Sequence, residues 1–347
     1  MIEAKNIAVV RTDRIGDVVL SIPMIDVIKR HFPDSKVTFI VKKYTRPLLE
    51  NNKSLSGLIS LYEKNGEILF FKNLALLRKN YFDSVILVSP TFKIALLLFF
   101  AGIKYRIGTG YRWYSFLFNR KIYEHRKFGN KHELQFNINM LKVYGINEVI
   151  SEGSVHFNIQ IDESAKIKVD DFLSQKGCNR SKPIIIVHPG SKGSSVDLPI
   201  NKMKELIRIM AQTLDCSIIL TGSENEKHIC EEMTISNKIL NSAGLFELKD
   251  LVALIDKCSV LIANSTGPIH IAAALNKHVI GFYPKIKACS PKRWGPFTEK
   301  KDIFLPETEC DNCSSKQCAR LNCMDSINIE EVFNSIQSAL IKQNGVL

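Results

Sequence analysis

The stretch VVRTDRIGDVVLSIPMIDVIKRHF, residues 9–32, opens as an apolar run and ends with apolar residues at helical spacing. Such a change of period, from unbroken β-branched residues to an amphipathic pattern, marks a buried strand turning into a helix. One glycine and one capping residue would suffice for the corner. Instead it holds Arg11, Asp13, Arg14, Gly16 and Asp17. The expectation is that Gly16 makes the tight turn and Asp17 stands at the start of the helix, where a carboxylate also suits the helix dipole.

The same alternation continues outward. Strands are expected at 7–11, 37–41 and 84–88, then at 184–188, 217–221, 259–263 and 279–283, with helical spacers such as 202–214 and 248–256. Apolar strands separated by helices of ten or more residues predict parallel sheets covered on both faces. The fold class is therefore α/β, a doubly wound parallel sheet occurring twice. The polar stretch SQKGCNRSKP at 174–183 suggests the join, giving domains 1–175 and 176–347. Two such domains are expected to face a cleft with their strand carboxyl ends, where ligands of open α/β sheets bind. A last helix near 327–343 has no strand after it.

At 347 residues the chain is long enough for two domains, and its 45% hydrophobic and 24% charged residues are ordinary for a packed globular protein. The run IALLLFFAGI at 94–103 is too short to span a bilayer, and the N-terminus lacks a signal-peptide layout, so a cytoplasmic location is expected. The net charge of +12 is lopsided. Residues 1–160 hold 24 Lys and Arg against 13 Asp and Glu, and the remainder is nearly balanced. Within 104–131 eight cations, among them Arg112, Arg120 and Lys121, face Glu124 alone, interleaved with aromatic residues. That half calls for an anionic partner: nucleic acid, an anionic membrane or a phosphorylated substrate. A solvated basic face is the alternative.

In the second half each strand runs into a small polar turn: HPGS (188–191), TGSENE (221–226) and NSTGPIH (264–270). Small residues admit a ligand close to the backbone, and helix N-termini favour phosphate. Gly190, Ser191, Gly222, Ser223, Ser265, Thr266 and Gly267 fit such a cradle, with Pro268 suited to a first helical turn and His270 just inside it. The alternative is that Ser and Thr simply cap helices. Neither G-x-G-x-x-G nor G-x-x-x-x-G-K-[ST] is present, which weighs against dinucleotide redox chemistry and a P-loop.

In order and spacing, RTDRIGDVVLSIP, KYRIGTG, KHELQFNINMLKVYG, HPGS, TGSENE and NSTGPIHIAAALNKHVIGFYP with SPKRWGP resemble glycosyltransferase family 9, the ADP-heptose:lipopolysaccharide heptosyltransferases. The resemblance covers roughly residues 7–335. It implies a GT-B fold of two Rossmann-like domains, the C-terminal one holding an ADP-activated sugar and the N-terminal one a lipid-linked acceptor. It implies inverting transfer needing no cofactor or catalytic metal, with Asp17 as the base. Ser265, Thr266, Gly267 and His270 match the pyrophosphate and sugar clamp, Glu224 the acidic residue reaching the ribose, and Gly190 with Ser191 the small pair beside the phosphates.

Two positions depart from the pattern. Many members carry Asp-Thr-Gly or Asp-Ser-Gly where this chain has Ser265-Thr266-Gly267, and a lysine three residues before Pro where it has Val196. Lys192, in a glycine- and serine-rich loop, is the candidate replacement for that lysine.

Arg11, Asp13 and Arg14 are then candidates for the acceptor side, with Asp13 the second choice as base, and Arg112, Arg120 and Lys121 suit a phosphorylated glycolipid. The implied setting is peripheral contact with the anionic cytoplasmic face of an inner membrane, and no nucleic acid. A basic nucleic-acid-binding protein and a relative using another sugar or acceptor are the other readings. Finally, Cys310, Cys313, Cys318 and Cys323 could hold a structural zinc, with disulfide or plain packing as alternatives.

Overall fold

The computed structural model describes residues 5–179, 181–308 and 314–343, which form two compact units. The first unit comprises 1–127 and 131–160, and the second 128–130 and 161–347.

The first unit contains β1 (Asn6–Val10), β2 (Lys36–Lys42), β3 (Gly57–Leu61), the small antiparallel pair β4 (Glu63–Lys64) and β5 (Glu67–Ile68), β6 (Ser84–Leu87), β7 (Tyr105–Thr109) and β8 (Arg120–Ile122). Its main sheet runs β3-β2-β1-β6-β7-β8, every pair parallel. The second unit contains β9 (Ile184–His188), β10 (Ser217–Leu220), β11 (Ile239–Asn241), β12 (Val260–Asn264), β13 (His278–Phe282) and β14 (Lys301–Phe304). Its order is β11-β10-β9-β12-β13-β14, again all parallel. The expected doubly wound sheets are both present. Their central strands are mostly apolar and almost wholly buried, as sheets covered on two faces require.

Each order reverses once, between β1 and β6 and between β9 and β12. At such a switch point the connections leave in opposite directions and open a crevice beyond the strand ends. The Arg11–Asp17 corner follows β1, the HPGS turn follows β9, and the NSTGP turn follows β12. These three motifs thus stand at switch points, whereas the TGSENE turn follows β10, one strand away from the reversal.

Three local features differ from the sequence reading. The helix after β1 is two helices, Ile15–Val19 and Pro23–His31, because Pro23 brings no N–H to continue the first. Gly16 sits buried inside the first with φ outside the left-handed region, so the corner does not depend on glycine's conformational freedom. The division between units falls after 160, not at 175. Helix Glu163–Gln175 packs on helix Leu248–Lys257, with Ala165, Val169 and Leu173 buried. Phe172 meets Phe246 edge-on, and Lys168 bonds the buried Asp250 at 2.5 Å.

The final helix, Ile329–Gln343, packs beside helix Ile200–Thr213. Val332, Ile336 and Ala339 join the core with Ile280 and Phe282.

Candidate functional site

In the first unit Arg11 continues the sheet beyond β1, its N–H bonding Ile40 O at 3.0 Å, so its side chain starts inside the protein. The guanidinium donates to Asp13 Oδ1 at 2.6 Å, to Asp17 Oδ1, and to Asn137 Oδ1 at 3.3 Å, with Glu133 Oε1 3.6 Å away. Arg126 donates to Glu133 and, at 3.0 Å, to Asn137 Oδ1. Asn137 in turn donates to Leu20 O at 2.9 Å and Ser21 Oγ at 3.2 Å, while Ser21 Oγ donates to Asp17 O at 2.8 Å. Three carboxylates and two guanidinium groups therefore form one largely buried network.

The side chains of Asp17 and Asp13 keep 15% and 29% exposure, so both carboxylates remain reachable. Burial pushes the Asp17 carboxyl upward and Arg11 opposes it; Asp13 and Glu133 add to the rise, which wins. Burial works to lower Arg11, but the three acids hold it firmly protonated. A carboxylate kept more basic than usual, at a strand's carboxyl end, has the protonation behaviour a general base needs. Asp17 does not cap its helix; the side chain is turned to Arg11.

Arg11 has no face left for an external phosphate, whereas Arg14 is exposed. Arg112, Arg120 and Lys121 are exposed too, with Arg120 lying over the Tyr105 ring. Arg126 belongs to the basic run yet points inward to Glu133. Glu133, Asn137 and Arg126 went unread as members of this site. The available signal was an acid and an amide at i, i+4 in HELQFN, the helical spacing that puts both on one face.

In the second unit the turns after β9 and β12 are braced to each other. Asn264 accepts from Leu198 N–H at 2.8 Å and donates to Pro189 O at 2.5 Å, and Ser194 Oγ lies 2.8 Å from Ser191 O and 2.9 Å from Ser265 O. Lys192 and Gly193 both take left-handed φ, +50° and +71°, which reverses the chain so that Ser194 N–H returns to Ser191 O.

Gly190 leaves room for Glu226: a Cβ there would lie 2.0 Å from Glu226 Oε1 and would make that carboxylate move. Glu226 itself is held by Ser223 N–H at 2.8 Å and Ser223 Oγ at 2.6 Å. Ser223 thus fulfils the helix-cap reading, whereas Thr266, at the N-cap of helix Gly267–Ala274, makes no such side-chain bond. Glu224 is exposed, its carboxylate lying over Gly244. Gly222 packs on Glu226, Ala243 and Cys230; Pro268 and His270 are buried in the first turns of their helix.

His188 shares a hydrogen bond with Thr221 Oγ1 at 2.9 Å. Burial lowers its pKa to about 4, with Glu226 opposing and Lys192 assisting, so it is neutral near pH 7. Burial raises the Glu226 carboxyl, but the Ser223 bonds, His188 and Lys192 together bring it below the usual range. The Lys192 charge therefore acts on His188 at the end of β9 and on Glu226.

Asp197 accepts from Ser191 N–H at 3.2 Å, and burial raises it to about 6. Between its ordinary value of 3.8 and about 6 the folded state binds the proton more readily than the unfolded state. Stability falls as pH rises through that window, so at neutral pH Asp197 carries its full penalty. Asp197→Asn keeps an acceptor for Ser191 and is expected to raise stability at pH 7.5 by about 1–3 kcal/mol, with the gain gone near pH 4. Chemical unfolding at the two pH values measures this, and a variant less stable than wild type at pH 7.5 contradicts it.

Cys310 and Cys313 lie outside the described residues; Cys318 is buried and Cys323 half-buried. Among the described residues no group of three or more His, Cys, Asp or Glu is arranged to hold a metal.

The family model described as glycosyltransferase family 9 (heptosyltransferase) matches residues 71–324. A Haemophilus influenzae protein assigned only provisionally as a glycosyltransferase is 28% identical over 313 residues, 87% of this chain and 89% of that one. A lipooligosaccharide heptosyltransferase 2 of Haemophilus ducreyi is 24% identical over 287 residues, 78% of this chain and 80% of its own. Among solved structures, the Escherichia coli ADP-heptose lipopolysaccharide heptosyltransferase II superposes with a TM-score of 0.79 at 20% identity, covering 98% of this chain and 100% of that one. The likeness carries the fold, which is the GT-B class expected from the sequence.

Proposed function

We propose that this chain, which belongs to glycosyltransferase family 9, the heptosyltransferase family, moves heptose from ADP-heptose to a lipopolysaccharide inner-core-type acceptor. The observation that carries the reading is Asp17: a reachable carboxylate at the switch point of the first sheet, kept basic by burial and by its acidic neighbours. In the proposed step Asp17 takes the proton of an acceptor hydroxyl as that oxygen bonds the anomeric carbon. The bond from that carbon to the ADP phosphate breaks from the opposite side, so configuration inverts and ADP leaves with the electron pair.

The donor's pyrophosphate is proposed to rest on the turns after β9 and β12 in the second unit. There Lys192, the small residues Gly190 and Ser191, Thr266 and the N-terminus of helix Gly267–Ala274 meet negative charge without a metal. Glu224 is proposed to take the ribose hydroxyls, and Arg14, Arg112, Arg120 and Lys121 the acceptor's phosphates. A lipid-linked acceptor sets the work at the cytoplasmic face of the inner membrane. A second reading, another nucleotide-sugar on the same machinery, is favoured by Ser265 and Val196 standing where many relatives carry Asp and Lys.

Thermal shift with ADP, UDP, GDP and CMP tests the donor. ADP at about a hundred times its Kd supplies about 2.7 kcal/mol, which for a domain of this size raises Tm by about 5–10 °C. Stabilisation by UDP or GDP alone overturns the ADP assignment. Turnover that is lost in EDTA and restored by a divalent cation overturns the metal-free step.

A further inference from the structure

Helix Phe92–Phe100 is apolar on both sides. Ile94, Ala95, Leu97 and Leu98 cover the first unit's sheet, which accounts for one side. Phe92, Leu96, Phe99 and Phe100 recur at i, i+4, i+7 and i+8 on the other, and the three phenylalanines there are exposed. The neighbouring helix Phe70–Arg78 extends this surface. Its Phe71 is 82% exposed and meets Phe70 edge-on, and Phe70 meets Phe100. At the other end Phe92 packs on Trp113, itself 73% exposed. Two largely exposed aromatic groups thus flank helix Phe92–Phe100, Phe70, Phe71, Phe99 and Phe100 at one end and Phe92 with Trp113 at the other, and they point to an interaction site rather than single chance exposures.

Its rim selects the partner. From residue 70 to 121 the chain has nine Lys and Arg against Asp83 alone, and Asp83 is bonded to the N–H groups of Lys5 and Asn6. Lys72, Arg78 and Lys104 are exposed on or near these helices, Lys93 is exposed and paired with the exposed Glu67 at 2.9 Å, and Arg106 lies 5.1 Å over the Phe99 ring. Aromatic rings among cations match a bilayer interface, where the rings enter the headgroup layer and the cations meet anionic lipid. Among the described residues no helix is long and apolar enough to cross a membrane, so the surface would lie on the bilayer.

We infer that the outer face of helices Phe70–Arg78 and Phe92–Phe100, with Trp113, seats the first unit on an anionic lipid surface. This deepens, and rests on, the membrane-surface part of the proposed function. It assigns docking to two helices outside the candidate acceptor and donor residues.

The test is sedimentation with vesicles of phosphatidylcholine alone and of phosphatidylcholine with phosphatidylglycerol, using wild type, Phe71→Ser/Phe99→Ser and Lys72→Gln/Lys93→Gln. Wild type should bind the anionic vesicles, less so at high salt. The aromatic pair should cut the partition coefficient by about tenfold or more, and the lysine pair by a smaller, salt-sensitive factor. Both variants should keep wild-type Tm and wild-type turnover on a lipid-free acceptor oligosaccharide, so failure of docking and failure of transfer read out separately. Partition unchanged in the aromatic pair overturns the inference. So does a loss of self-association in that pair without loss of lipid binding, which would make the face a contact between copies.

Discussion

Asp17→Asn is expected to lower kcat by about 10²–10⁴-fold, the usual contribution of general-base catalysis, with ADP affinity unchanged. Asparagine keeps an oxygen for Arg11 Nη2 and the volume of the site, and Asp17 has no cap bond to lose. Folding should not suffer. Burial places the ionised Asp17 at a disadvantage in the folded state, so removing its charge relieves the native state above the ordinary carboxylate range. The wild-type pH–rate profile should show an acidic limb lying above that range, absent from the residual activity of the variant. Asp13→Asn separates the two aspartates. Asp13 helps to raise Asp17, so its neutralisation should move the limb to lower pH while most of kcat remains. A turnover within a few-fold of wild type in Asp17→Asn removes it from the mechanism and makes Asp13 the first alternative.

The sheets were legible because their central strands must be apolar on both faces, and such runs stand out wherever they occur. The edges were not. β8 is Arg-Lys-Ile, and β14 is half-exposed along its length. A strand with one neighbour and one solvated side need not carry the buried-strand pattern.

Site residues divide in the same way. Asp17, Gly190 and Thr266 are adjacent in sequence to strands that announce themselves, so position alone flags them. Glu133 and Asn137 come from a helix more than a hundred residues after Arg11, and only folding brings them to it. Arg126 shows the converse: inside a basic run it reads as surface charge, yet it turns inward to the buried Glu133. Composition records which charges exist, not which of them are neutralised internally. The first unit's excess of cations is therefore a reliable guide to the outer face only after Arg11 and Arg126 are set aside.

Arg11→Ala is expected to be the most damaging single change to stability. Its guanidinium is bonded to Asp13 and Asp17, lies 3.6 Å from Glu133, and is itself buried. Truncation leaves the desolvated Asp17 without its guanidinium partner and takes one cation from the buried Glu133, and removal of one partner from a buried ionic network costs about 3–5 kcal/mol. For a unit of this size that lowers the first unit's Tm by about 10 °C or more. The loss should shrink as the pH is brought down through the carboxylate range, because protonating Asp17 relieves the repulsion that Arg11 had offset. Arg11→Lys should be intermediate: it restores a charge, but one ammonium cannot serve carboxylates that a planar fork reaches together. ADP affinity should be unchanged, since the donor turns belong to the second unit. The alternative role, a direct ligand for acceptor phosphate, predicts the opposite division, with acceptor KM raised and Tm preserved. Chemical and thermal unfolding of the three proteins at pH 5 and 7.5 decides between them. An Arg11→Ala protein as stable as wild type at pH 7.5 would mean that the carboxylates do not need their central cation, and the argument for a strained, basic Asp17 would fall with it.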